Sequence, residues 1–65
     1  MRIKYQGKET ETDAASVAAF LAMQDIKVEE AVVEYKGEIR SGEAEIAVPL
    51  EDGAELNVFR IVAGG

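Results

Sequence analysis

Sixty-five residues without cysteine or histidine, carrying 13 acidic and seven basic side chains for a net charge of −6, leave few chemistries open. One small domain is all that fits, and with no thiolate, no zinc ligand set of the usual kinds and no side chain titrating near neutrality, neither a self-sufficient enzyme nor a bound metal is expected. The acidic balance repels phosphate backbones and anionic lipid, so neither nucleic acid nor a membrane is an expected partner.

Met1-Arg2-Ile3-Lys4-Tyr5-Gln6 alternates apolar and polar residues. That period predicts a strand with Met1, Ile3 and Tyr5 on one face and the cations opposite. Gly7-Lys8 follows as a short turn, and Glu9 to Thr12 returns as a polar strand near a sheet edge. From Asp13 the pattern becomes helical, Ala14 to Gln24 being dominated by good helix formers. Asp13 and Ser16 each offer a side-chain oxygen to the first free amides. Ser16 is the preferred cap, because Val17, Phe20, Leu21 and Gln24 then share one side at i, i+3, i+4 and i+7.

Asp25 to Glu30 is a polar connection leading into Ala31-Val32-Val33-Glu34-Tyr35, whose β-branched and aromatic residues predict a central strand. Lys36-Gly37 makes a tight turn, with Gly37 supplying the positive φ of a short hairpin, and Glu38-Ile39-Arg40 returns. Ser41 to Ala47 has room for one short helical turn within an irregular crossover. Pro49 holds Val48 extended, and Asp52-Gly53 introduces the last strand. There Leu56 and Val58 share one face while Asn57, Phe59 and Ile61 lie on the other. Strands on either side of one helix predict an α+β domain spanning residues 1–65: a ubiquitin-like β-grasp, with a mixed sheet of four to five strands wrapped around the helix. Its apolar first and last strands suit parallel pairing at the centre.

The chain closes on Val62-Ala63-Gly64-Gly65 directly after a strand. At an ordinary glycine frequency of roughly 7%, two terminal glycines arise by chance in about one chain in 200. An unpacked chain end tolerates glycine for no functional reason, and the glycines alone do not separate the two accounts. The functional account has a chemical basis: a flexible tail without Cβ atoms passes through a narrow channel into another protein's active site. Its α-carboxylate, a poor acyl donor, becomes a good one as an acyl-adenylate.

The element order, the length and the closing stretch from Asp52-Gly53 through Leu56-Asn57-Val58-Phe59-Arg60-Ile61 to Gly64-Gly65 resemble the ThiS-type sulfur carriers of thiamine biosynthesis. The likeness covers the whole chain: Met1-Arg2-Ile3 resembles the family's first strand, Ser16-Val17 its helix start and Val32 to Ile39 its central hairpin. The chain departs from the family where Lys36-Gly37 replaces a frequent Asn-Gly and Arg40-Ser41-Gly42 replaces a proline-containing stretch. The resemblance implies that Gly65 is adenylated by an E1-like adenylyltransferase using ATP and then converted to a thiocarboxylate. It also implies sulfur from a cysteine desulfurase or sulfurtransferase, thiazole synthase as the acceptor, and no cofactor held by the carrier itself. Val62, Ala63 and Gly64 would be the flexible tail entering those active sites.

Phe59 and Ile61, on the outer face of the sheet beside the tail, are candidate anchors for the activating enzyme, since exposed aromatics are enriched in binding hot spots. A one-residue slip would instead turn Phe59 into the core. Arg60 is a candidate for a phosphate or an acidic partner, against the blander reading of a solvated surface charge. Glu43, Glu45, Glu51 and Asp52 lack the spacing of a calcium loop and read as a solvated acidic surface. The alternatives are a carrier for molybdopterin or amino-acid synthesis, a ubiquitin-like protein modifier, and a plain interaction module. No apolar run reaches the ~20 residues of a membrane span and no secretory signal is legible, so a cytoplasmic protein, monomeric by itself, is expected.

Overall fold

The computed structural model describes residues 1–60. Strands β1 (Arg2–Tyr5) and β2 (Lys8–Glu11) form an antiparallel hairpin in which Tyr5 faces Lys8 and Arg2 faces Glu11. Its two-residue turn is Gln6-Gly7, at φ 52° and 81°. Positive φ at both positions marks the type I′ turn, whose twist matches that of the flanking strands. The turn therefore lies one residue before the predicted Gly7-Lys8, because glycine occupies its second position and Lys8 is needed to pair with Tyr5.

Helix α1 (Val17–Met23) begins at Ser16, whose hydroxyl accepts the amide of Ala19 at 3.0 Å. Val17, Phe20 and Leu21 are buried as the spacing predicts. Gln24, expected on the same side, is the exposed C-cap. Asp25 turns the chain at φ 60°, and the Ile26 amide bonds back to the Leu21 carbonyl at 2.9 Å. This is the hydrogen-bond pattern of a Schellman ending, and it delivers Ile26 to the edge of the core in place of Gln24.

A 3₁₀ turn at Val28–Glu30 leads into β3 (Ala31–Tyr35), and Lys36-Gly37 (φ 54° and 84°) forms a second type I′ turn into β4 (Glu38–Ser41). The crossover holds one helical turn, α2 (Glu43–Ile46), before β5 (Glu55–Arg60). The five strands are ordered β2-β1-β5-β3-β4. β5 runs parallel to β1 and antiparallel to β3, so the last strand is central. α1 covers one face, giving the mixed α+β sheet expected of a β-grasp.

Phe20 is 1% exposed at the middle of a core to which the sheet contributes Ile3, Val33 and Leu56 and the crossover Ile46 and Leu50. The Tyr5 ring meets Phe20 edge-on, with centroids 4.8 Å apart, a favourable arrangement of the two ring quadrupoles. The crossover is held to α1 by Val17 N–H to Val48 O at 2.9 Å and Leu50 N–H to Ala15 O at 3.0 Å. It is held to β3 by one phenol: Tyr35 Oη donates to Pro49 O at 2.8 Å and accepts from Glu51 N–H at 2.9 Å. No helix among the described residues is long and apolar enough to cross a membrane.

Two substitutions test this packing. Phe20→Ala leaves a void at the centre of the core and is expected to cost about 3–5 kcal/mol in chemical denaturation, enough to unfold a domain this small. Tyr35→Phe keeps the ring but leaves the Glu51 amide without its acceptor, an expected loss of about 1–3 kcal/mol with the same fold by circular dichroism.

Candidate functional site

A strand's side chains alternate between faces, so burial of Leu56 and Val58 against α1 sends Asn57 and Phe59 to the opposite side of the sheet. Phe59 is 54% exposed there. The alternation read from the sequence places it correctly, and the slip that would have turned it inward does not occur. Register then defines its neighbours. Phe59 lies directly across from Val32, Val32 from Ser41, and Glu34 from Ile39, which puts Ile39 diagonal to Val32 on the same face. Ile39 is 64% exposed and Val32 half-buried. An apolar stripe thus crosses β5, β3 and β4 on the face away from the helix, at the end of the sheet where the described chain stops.

Polar groups border the stripe. Asn57 Nδ2 donates to Glu34 Oε1 at 3.1 Å, fixing both side chains beside it, whereas exposed Arg60, across from Ala31 at the end of β5, alternates to the other face with Leu56 and Val58. Ile61, Val62, Ala63, Gly64 and Gly65 lie outside the described residues. The sequence reading passed over Val32 and Ile39. Their signal was present: with Val33 and Tyr35 inward, a two-residue turn at Lys36-Gly37 fixes Tyr35 opposite Glu38 and therefore sends Ile39 outward.

In an open groove of about 370 Å³ between β3, β4 and the crossover, Lys36 Nζ meets Glu51 Oε2 at 2.8 Å and Arg40 meets Glu38 Oε1 at 2.9 Å. The hydrogen bond that the Lys36 ammonium donates to Glu51, and then the carboxylate's charge, hold that ammonium above the usual lysine value. The ammonium's charge is therefore kept past the usual lysine value, and the stability it contributes is lost as pH rises through the elevated one. Among the described residues, no three histidine, cysteine, aspartate or glutamate side chains gather where they could hold a metal ion.

A family model, that of the ThiS family, matches residues 2–65. Among solved structures, the chain is similar to the crystal structure of a thiamine biosynthesis protein (ThiS) from Geobacter metallireducens, with 28% identity, 100% of both chains covered and a TM-score of 0.77. No curated protein matches it.

Adjacent residues on β5 are expected to respond oppositely to substitution. Phe59→Thr keeps β propensity and removes only exposed apolar surface, so its unfolding free energy is expected to stay within about 0.5 kcal/mol of the parent. Val58→Ala removes buried methyl groups from a central strand and is expected to cost about 1–3 kcal/mol in the same urea titration.

Proposed function

The chain belongs to the ThiS family, and on that premise we propose that it is a sulfur carrier of thiamine biosynthesis whose reactive group is the terminal carboxylate of Gly65. The observation that carries the reading is a family match that runs through Gly64 and Gly65. The likeness to a thiamine biosynthesis protein over the full length of both chains supports the pathway. The stripe of Phe59, Val32 and Ile39, beside the strand that leads into the tail, supplies a surface for an activating enzyme.

In this reading an E1-like adenylyltransferase docks on the stripe, with Arg60 and Ile61 as further candidate contacts. Val62, Ala63 and Gly64 pass into its active site, where the absence of Cβ atoms at Gly64 and Gly65 lets the chain lie in a narrow channel. The Gly65 carboxylate attacks the α-phosphorus of ATP, pyrophosphate leaves, and the carboxyl carbon becomes an acyl-adenylate. The terminal sulfur of a persulfide on a cysteine desulfurase or sulfurtransferase then displaces AMP, and a second thiol cleaves the resulting acyl disulfide, leaving a thiocarboxylate on Gly65 and a disulfide on the donor side. The thiocarboxylate is ionised at neutral pH, soft and nucleophilic, and thiazole synthase is its acceptor. The carrier contributes the reacting atom and the docking surface, and its partners contribute the catalysts.

Incubation with an E1-like adenylyltransferase, ATP and a sulfur donor, followed by intact-mass measurement, is expected to show exchange of one oxygen for sulfur. Gly65→Val is expected to abolish that exchange without changing the far-ultraviolet spectrum. Phe59→Asp combined with Ile39→Asp is expected to raise the KM of adenylation at least tenfold, the loss of a small hot spot. Adducts on other proteins in place of the sulfur exchange would identify a modifier and overturn the carrier reading.

A further inference from the structure

β1 ends before β5 does. The parallel ladder between them runs from Lys4 N–H bonded to Ala54 O at 2.9 Å to Gln6 N–H bonded to Leu56 O at 3.0 Å, and then β1 turns away into the hairpin. On this flank the next backbone groups of β5 are the amide and carbonyl of Val58. Both are engaged by one side chain: Gln6 Oε1 accepts from Val58 N–H at 3.0 Å, and Gln6 Nε2 donates to Val58 O at 3.0 Å. The carboxamide has one donor end and one acceptor end, matching what a further peptide unit of β1 would present, and only one orientation of the amide satisfies both bonds. Gln6 performs this from a left-handed backbone, φ 52°, at a turn position where glycine, asparagine or aspartate would be less strained.

We propose that Gln6 is a positioning residue: its carboxamide extends the β1 side of the ladder by one step, fixing the end of β5 so that Phe59 is presented in one direction. The consequence for sulfur transfer rests on the carrier reading above. A strand end already fixed before docking loses less conformational freedom when the partner closes on it, and that saving appears in the affinity of the encounter more than in the chemical step.

The test uses Gln6→Gly and Gln6→Glu in the full chain. Glycine accepts the positive φ of the turn freely, so the hairpin stays intact while both bonds are removed. Glutamate keeps the acceptor for the Val58 amide and places an anionic oxygen against the Val58 carbonyl. In the free protein, hydrogen exchange of the Val58 amide, referenced to the slowest core amides, is expected to accelerate roughly tenfold in Gln6→Gly, the effect of losing two modest hydrogen bonds. In Gln6→Glu, adenylation is expected to weaken in the same direction as in Gln6→Gly. With the adenylyltransferase, KM for the carrier is expected to rise several-fold in both variants at unchanged kcat. Unchanged Val58 protection in Gln6→Gly overturns the extended ladder, and lost protection with an unchanged KM overturns the positioning role. A wild-type chain that no such enzyme adenylates removes the carrier reading and the positioning role together. The exchange measurement, which needs no partner, still decides whether Gln6 holds the strand.

Discussion

The fold depends on one pairing between distant parts of the chain: β1, at the beginning, lies parallel to β5, some fifty residues later. Parallel neighbours cannot be joined by a tight turn, so everything between them has to serve as a crossover. α1 lies over the sheet and supplies Phe20 and Leu21 to the face that the pairing creates. β3 and β4 flank β5 on its other side, and the last loop returns under the control of Tyr35 and the start of α1. Placing the final strand at the centre has a functional corollary: the chain's last described strand is held by neighbours on both flanks.

The two outer strands are protected in different ways. β2, Lys8-Glu9-Thr10-Glu11, offers an incoming strand a charged and short edge. β4 is covered by the turn that follows it. Glu45 accepts the Ser41 amide at 3.0 Å through its carboxylate, and its carbonyl accepts from Arg40 at 3.3 Å. Charge on β2 and the Glu45 contacts on β4 thus occupy part of both edges, and the exposed stripe lies on the face of the sheet.

The elements were legible where chemistry and period agree. The alternation of Arg2 to Tyr5, the Ser16 cap and the Lys36-Gly37 hairpin each have a local cause that survives in the structure. Local reading failed where a residue's role is decided elsewhere. Gln24 continues the helical spacing, but the left-handed Asp25 ends the helix and gives its place at the core to Ile26. Gln6 reads as the end of an alternating strand, yet its side chain belongs to β5, fifty-two positions away. Of the site, the parity of Phe59 followed from its neighbours Leu56 and Val58. Joining it to Val32 and Ile39 required the strand order, which no short window of sequence contains.

Both hairpins carry a long polar side chain at a backbone angle better suited to glycine or asparagine: Gln6 reaches Val58, and Lys36 reaches Glu51. Each turn gives up local ease for a tie to a distant segment, one to the strand before the tail and the other to the crossover before that strand. An optimiser choosing residues turn by turn would install Asn-Gly at both places and gain stability in each isolated hairpin. The resulting domain would keep its hairpins and lose these two ties, one to Val58 and one to Glu51. Turn residues here serve as long-range specification, so sequence changes that look harmless by local measures can loosen contacts made more than ten positions away.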